Sequence, residues 1–160
     1  PLLNSRSQLI GVNTAIRAGA ENIGFAIPLS TVRRVVPELI QNGRYPHPWL
    51  GVMGYSLSPE LARDLDLLAD AGVMIARVVG DGPAAQGGLR GGSREVVWGN
   101  YRLLVGGDII VEIDGVPIAG NAALLEFLET RTRVGQKVEI NFYRGDEARV
   151  TSVILGERGQ

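Results

Sequence analysis

The side chains that could act in catalysis are few, and they do not fall at catalytic spacings. The chain has no cysteine and a single histidine, His47, which lies between Pro46 and Pro48. Without cysteine there is no thiolate nucleophile, no disulfide and no cysteine-bound metal. A histidine flanked by prolines is typical of a solvated linker. Residues 91–95, which hold Ser93, fail the Gly-x-Ser-x-Gly spacing of a nucleophile elbow.

Two further clusters also fall short of a ligand site. Asp64, Asp66 and Asp70 lack the alternation of a calcium-binding loop, and their spacing is typical of a solvated helix face. The glycine-rich stretch 80–107 lacks the Gly-Lys-Ser/Thr ending of a phosphate-binding loop. We therefore predict no metal and no cofactor.

The composition indicates a folded protein that is not adapted to nucleic acid. The chain of 160 residues is 45% hydrophobic and 21% charged, and its formal net charge is −1. A near-neutral chain gives no electrostatic reason to expect DNA, RNA or an anionic membrane as a partner. No apolar run approaches the roughly 20 residues that span a bilayer. The 22 glycines, many of them in pairs, indicate a mainly β protein rich in turns.

Residues 1–43 are typical of the end of a β domain. The predicted elements are strands at 2–3, 9–16 and 22–27, then a helix with Ser30 as N-cap, Pro37 inside it and Gly43 as its stop. Three strands and one helix cannot bury a sizeable core alone. We therefore expect this chain to be a piece of a longer protein, with the body of that domain upstream. Residues 44–48 contain two prolines and form a predicted linker.

Residues 49–158 have the pattern of a self-sufficient small domain of mainly β structure with short helices, of the α+β class. A helix after Ser58 is expected to bury Leu61, Leu65 and Leu68, and residues 91–106 form an insertion with a hairpin turn at Gly99-Asn100. The expected architecture is a small β-barrel or partly open sandwich with two helices. The predicted strands are 51–57, 73–79, 95–105 (the hairpin), 108–113, 137–143 and 147–155, and the remaining helices are 83–86 and 121–131.

Two sets of motifs, in this order, resemble one protease family. The segments 1–4, 10–14 and 23–28 are similar to the end of the trypsin-like domain of HtrA/Deg-type serine proteases. The later motifs resemble a bacterial PDZ domain: Leu50-Gly51-Val52, residues 82–89, and Gly107-Asp108-Ile109-Ile110 with Ile113-Asp114-Gly115. The resemblance covers essentially the whole chain. It implies the terminal strands and helix of a trypsin-like β-barrel, followed by one PDZ domain.

The resemblance implies a parent protein that is an ATP-independent serine endopeptidase of protein quality control. In the family, the nucleophilic serine lies in Gly-Asn-Ser-Gly-Gly just upstream of the segment that begins at Pro1. By that register the chain contains no member of the His/Asp/Ser triad and is inactive alone. The family also implies an extracytoplasmic parent, such as a periplasmic or membrane-anchored one, that forms homo-oligomers, often trimers.

A PDZ domain binds the C-termini or unfolded segments of proteins by adding a strand to its edge and holding the terminal carboxylate in a backbone nest. Consecutive amides at Leu50-Gly51-Val52 suit that chemistry, because glycine allows a tight bend close to the ligand. Helix 121–131 supplies the other wall, with Leu124 and Phe127 turned to the core. The candidate peptide-binding residues are Leu50, Gly51, Val52, Met53, Gly54, Asn121, Leu125 and Leu128.

In the first segment, Thr14, Ala15 and Ile16 match the family's strand that pairs with the substrate main chain, with Ile16 beside the primary specificity pocket. Two other readings of the whole chain stay open. The parent could be a non-catalytic PDZ adaptor, in which case the serine upstream of Pro1 is replaced. Alternatively, the PDZ domain of a working protease could serve self-assembly or autoinhibition rather than substrate capture.

Overall fold

The computed structural model describes residues 1–16 and 24–159, which form two compact units, Pro1–Tyr45 and Pro46–Gln160. The first unit contains β1 (Leu2–Leu3), β2 (Leu9–Ile16), β3 (Gly24–Pro28) and α1 (Leu29–Asn42). The three strands form an antiparallel sheet in the order β1-β2-β3. None of the described side chains of α1 is buried, and the apolar side chains of β1 and β3 are exposed.

The helix of the first unit begins two residues earlier than the sequence predicts. Pro28, not Ser30, occupies the N-cap position, with φ −65° and ψ 150°. Proline has its φ already fixed near the helical value and lacks the N–H that a helix start leaves unpaired, so it suits this boundary. The predicted stop is confirmed: Gly43 adopts φ 68°, and its amide donates to the Leu39 carbonyl at 3.0 Å. Residues 22 and 23 of the predicted third strand lie outside the described residues.

The second unit carries ten strands and three helices within its described residues. Most of the predicted elements appear within one or two residues of their expected bounds. The elements are β4 (Pro48–Trp49), β5 (Val52–Ser56), α2 (Pro59–Asp64), β6 (Val73–Val78), α3 (Pro83–Gln86), β7 (Arg94–Trp98), β8 (Tyr101–Val105), β9 (Ile109–Ile113), β10 (Val116–Pro117), α4 (Asn121–Arg131), β11 (Lys137–Arg144), β12 (Glu147–Ile154) and β13 (Gly156–Glu157).

The main sheet of this unit is open and antiparallel, with the order β12-β11-β9-β6-β5 and β10 paired to β9. Two short ladders, β4 with β13 and β7 with β8, complete the described pairing. The mainly β, α+β fold class is therefore confirmed, and of the two predicted architectures the open one is found in the described residues. β5 lies at one edge of this sheet.

The core of the second unit follows from alternation along the strands. Val138, Ile140 and Phe142 on β11 are at most 4% exposed, as predicted from their spacing. They pack with Ile75, Ile110 and other side chains into one apolar cluster that also holds Leu124 and Phe127 of α4. α4 is therefore fixed against the sheet by its buried side, and this attachment sets the distance between α4 and β5.

An ion pair between half-buried Arg144 and buried Asp108 ties the loop after α3 to the sheet. Asp108, 1% exposed, accepts hydrogen bonds from the Arg90 amide at 2.8 Å and from Nε and Nη2 of Arg144 at 2.7 Å each. Arg144 also donates to the Gly88 carbonyl. The hydrogen bond to Asp108 raises the pKa of Arg144 above its usual value, so the arginine stays charged. The pair thereby holds the 87–92 loop in place.

The helix after Ser58 begins as predicted and ends early. The Ser58 hydroxyl accepts from the Leu61 amide at 3.2 Å, and Pro59 follows at the first helical position. The helix stops at Asp64, and Asp66 takes a positive φ of 52°. Leu61 is buried, but Leu68 is 62% exposed, so the predicted three-leucine buried stripe is wrong at its third position.

Candidate functional site

A groove of about 390 Å³ runs between the edge strand β5 and the helix α4. The structure brings all eight residues of the predicted peptide site to this groove, although they come from segments 70 residues apart in the chain. The residues that line it are Trp49, Leu50, Gly51, Val52, Met53, Gly54, Asn121, Leu124, Leu125, Leu128 and Arg158.

The main chain of β5 offers hydrogen-bonding groups to this groove. The Gly51 carbonyl accepts from the Val79 amide at 2.9 Å and so points toward β6. In a strand, the N–H and C=O groups of successive residues point to opposite sides. The N–H and C=O of Val52 therefore point away from β6. The Gly54 carbonyl also points away, since it accepts from the Asn121 side-chain amide at 2.9 Å. This outer edge has no strand partner among the described residues.

One end of the groove is closed by Leu50-Gly51-Val52. Gly51 has φ 83°, a left-handed conformation that side chains rarely adopt, and a Cβ there would lie 3.3 Å from Cδ of Pro83. The Leu50 carbonyl accepts from the Ala84 amide at 2.9 Å, which fixes the bend against α3. Among the described residues, no backbone hydrogen bond outside the helices and strands has the Leu50 or the Gly51 amide as its donor.

Burial differs along this closed end. Leu50 is 1% exposed and its side chain belongs to the main apolar cluster, while Gly51 is buried and Val52 is half-buried. The bend therefore lies at the bottom of the groove. A ligand must enter from the open side, along β5 and α4, and reach the bend with its end.

The helix wall divides into an exposed and a buried part. Leu125 is 57% exposed, whereas Leu124, Phe127 and Leu128 are each 5% exposed. The core positions expected for Leu124 and Phe127 are found, but Leu124 also lines the groove. Leu128 lines the groove while belonging to the core cluster. Leu125 is therefore the exposed leucine of this wall.

Sequence reasoning missed three groove residues. Trp49, Leu124 and Arg158 line the groove but were not assigned to it. Arg158 reaches it because β13 pairs with β4 and the Arg158 amide donates to the His47 carbonyl at 3.0 Å. That pairing joins segments about 110 residues apart, so local sequence contains no signal for it. Trp49 lies directly before the predicted bend, so its place in the sequence could have suggested it as a groove residue.

Arg158 gives the closed end of the groove a positive charge. Its side chain is exposed and lies on the rim rather than in the core. A cation beside the amides of this bend makes this end of the groove favourable for an anion. The opposite, open end is bordered by Gly54 and Asn121, which carry no charge.

His47 is exposed, as expected, but it also contacts a side chain of α4. Its Nδ1 lies 2.8 Å from Oε1 of Glu129 on α4, with the imidazole 55% exposed. Within the part of the chain that the structure describes, no three histidine, cysteine or acidic side chains cluster as metal ligands would. None of the helices there is long and apolar enough to cross a bilayer.

In the first unit, the predicted substrate-pairing residues lie at the end of β2. Ala15 and Ile16 pair with Phe25 and Gly24, and the Thr14 hydroxyl donates to the Phe25 carbonyl at 3.3 Å. β1 pairs only with Leu9 and Gly11, so the β1-side edge of residues 12–16 has no strand partner among the described residues.

Comparison with known families agrees with this architecture. Residues 51–155 match the family model described as "PDZ domain", so the chain belongs to the PDZ domain family. The match begins at Gly51 in the bend and ends after β12, so it includes both walls of the groove.

Curated relatives identify the wider family. The chain is 35% identical to the putative serine protease HhoB of Synechocystis sp., with 98% of this chain and 36% of the relative covered. It is 31% identical to the periplasmic serine endoprotease DegP of Salmonella typhimurium (99% and 31%) and 33% identical to the chloroplastic protease Do-like 1 of Arabidopsis thaliana (97% and 34%). The chain spans about a third of the length of these relatives. The resemblance to HtrA/Deg-type proteases is confirmed.

Solved structures show the same likeness. The HtrA-type protease AlgWS227A with decapeptide superposes with a TM-score of 0.74 at 34% identity, covering 98% of this chain and 44% of that one. AlgW with tripeptide gives a TM-score of 0.71, also at 34% identity, with coverage of 99% and 48%.

Proposed function

We propose that the second unit binds the C-terminal segment of polypeptides by strand addition to β5. The observation that carries the proposal is the outer edge of β5, which faces α4 across a groove closed by a bend of amides. The added strand lies along Val52 and Gly54, and its terminal carboxylate meets the amides of Leu50-Gly51-Val52. Arg158 on the rim favours the same charge.

The groove favours an apolar last residue. Val52, Leu125 and Leu128 surround the position next to the bend, and filling such a pocket is worth roughly 1.5–3 kcal/mol. With the carboxylate and the strand hydrogen bonds, we expect a free energy of binding of about −8 kcal/mol, which is a Kd of about 1 μM. The similar AlgW structures were solved with a decapeptide or a tripeptide, which supports peptide binding by this chain.

In the parent protein, this domain delivers substrate to, or regulates, an ATP-independent serine endopeptidase of protein quality control. The relatives named as serine proteases support this proposal. The triad lies outside this chain, so the chain alone is inactive. The names of relatives include periplasmic and chloroplastic proteins, which supports a parent that works outside the cytoplasm. Oligomerisation of the parent, as a trimer, belongs to the same proposal.

The first unit contributes to the protease side of this function. We propose that the β1-side edge of β2 at Thr14-Ala15-Ile16 pairs with the substrate main chain. The edge is suited to this because those residues are held by β3 on one side and have no strand partner among the described residues on the other. The parent's residues just upstream of Pro1 test the enzymatic part: Gly-Asn-Ser-Gly-Gly supports a protease, and a replaced serine supports an adaptor.

The binding proposal is tested by titrating the chain with matched fluorescent hexapeptides that end in Val, Leu or Phe, each with a free or an amidated C-terminus. Free carboxylates should bind with a Kd of about 1 μM, and amidation should weaken binding at least tenfold. Equal affinity for the free and the amidated peptide would rule out carboxylate capture by the bend.

A further inference from the structure

A hairpin outside the main sheet stands beside the open end of the groove. β7 and β8 form their own two-stranded ladder, with Trp98 opposite Tyr101 at the turn. The hairpin is anchored on one face: Leu103 and Val105 are buried, and the Leu104 amide donates to the Tyr55 hydroxyl of β5 at 3.3 Å. Its position relative to β5 is therefore fixed by packing and by this hydrogen bond.

The tip of the hairpin is fixed as well. Nε1 of Trp98 donates to Oδ2 of Asp64 on α2 at 2.8 Å. Tyr101, across the ladder from Trp98, is 68% exposed. An exposed aromatic ring on a rigid support provides a large apolar surface at low entropic cost for a contact.

A cavity of about 370 Å³ lies between this hairpin and β5, and it adjoins the groove, since Gly54 and Asn121 line both. Its walls are mostly aromatic and aliphatic, with one exposed arginine. The lining residues are Gly54, Tyr55, Ser56, Leu61, Trp98, Tyr101, Arg102, Leu103 and Asn121.

The direction of strand addition determines which peptide residue reaches this cavity. With the carboxylate at the bend, a peptide antiparallel to β5 pairs with successive β5 residues, counted back from its C-terminus. Its last residue lies at Val52, the residue two before it at Gly54, and the residue four before it at Ser56. Ser56 borders the cavity, and its peptide groups point away from β6, since the next amide, that of Leu57, donates to Gly72.

We propose that this cavity is a second subsite that selects an aromatic or large aliphatic side chain four residues before the C-terminus. The proposal rests on the proposed function of the groove. The terminal pocket then selects the last residue of the peptide, and the hairpin selects a second apolar residue four positions before it. A terminal segment with both residues exposed is a feature of an unfolded protein, because such residues are usually buried in folded ones.

The test uses the full chain and two labelled heptapeptides that share a free C-terminal Val and differ only at the fourth residue before it, Phe against Ser. A tripeptide with the same last three residues measures the terminal pocket alone. The Phe peptide should bind five- to twentyfold more tightly than the Ser peptide. Tyr101→Ala should reduce that ratio to below twofold and leave tripeptide affinity unchanged.

Val97→Ala is the matched control, since Val97 lies on the same hairpin, is 72% exposed and does not line the cavity. It should keep the full preference for Phe. If wild type binds the tripeptide and both heptapeptides equally, the subsite is wrong and the groove proposal stands. If Tyr101→Ala weakens tripeptide binding as much as heptapeptide binding, the ring has a structural role and the subsite is also wrong. If no free C-terminus binds, both proposals fail.

Discussion

Arg158 is a charged residue that reaches the groove only through the folded structure. It lies on the rim of the groove near the bend of Leu50-Gly51-Val52, brought there by the β4–β13 ladder. An exposed charge acts over a distance set by the salt concentration, about 10 Å at 0.1 M. Its effect on a bound carboxylate should therefore be modest and dependent on salt.

We expect Arg158→Ala to weaken binding of a free C-terminal peptide two- to fivefold at low salt, about 0.4–1 kcal/mol, and to have almost no effect at 1 M salt. The measurement is a peptide titration at several NaCl concentrations. Arg133→Ala removes an exposed arginine that does not line the groove and should change nothing. A loss of affinity in Arg158→Ala that is independent of salt would contradict an electrostatic role.

At the scale of elements, Leu125 and Leu128 show why a helix face does not by itself define a binding surface. Both leucines line the groove, but Leu128 is 5% exposed and packs in the core, whereas Leu125 is 57% exposed. A polar substitution at Leu128 would cost folding free energy, since it would bury a charge without a partner. Leu125 is the position that tests binding alone.

Leu125→Glu should reduce peptide affinity at least tenfold, because it places a carboxylate beside the apolar terminal side chain, and it should leave the urea midpoint nearly unchanged. Leu68→Glu is the matched control: Leu68 is 62% exposed and lies outside the groove. Both variants should unfold like wild type, and only the first should lose binding. If the two variants bound peptide equally well, α4 would not be a wall of the site.

Much of the element pattern could be predicted from the sequence, because alternation on β11 and capping by Ser58 and Pro59 are local signals. The early end of α2 could not, since the leucine spacing continues beyond it. The helix breaks where Asp66 adopts φ 52°, a conformation that aspartate tolerates better than most residues. Leu68 then leaves the core although its spacing fits a helix.

The groove residues could be partly predicted, because some of them carry local sequence signals. Gly51 and the first turn of α4 carry local signals, a bend and a helix start, and both lie at the groove. The contribution of Arg158 depends on a ladder between the two ends of the second unit. The β7–β8 hairpin could be predicted from its sequence, but its place beside β5 depends on the hydrogen bond to Tyr55 and on buried Leu103.

At the scale of the whole molecule, the two units differ in how much apolar surface they bury. All of the described buried hydrophobic side chains, from Leu50 to Leu155, lie in the second unit. The described side chains of the first unit include exposed apolar ones on its strands and on α1. Phe25, Ile40, Leu3 and Leu39 are examples. The second unit therefore contains what is needed for independent folding.

A chain of residues 46–159 should fold alone and bind peptide within twofold of the full chain, since every groove residue lies in that range. Both tryptophans, Trp49 and Trp98, also lie there, so tryptophan fluorescence reports the unfolding of this unit specifically. Urea midpoints by fluorescence should agree between the two chains. A marked loss of affinity or of cooperativity in the shorter chain would show that the first unit supports the groove.

The hydrogen bond from the Asn121 side chain to the Gly54 carbonyl has a consequence for the affinity of the proposed peptide binding. A strand that pairs at Gly54 must share this acceptor with Asn121 or displace it, so the contact adds less than a hydrogen bond to a carbonyl with no other donor. In the proposed complex, affinity would then come chiefly from the terminal carboxylate and the apolar side chains of the peptide. In that case, peptides that share these apolar residues and differ elsewhere should bind with similar affinity.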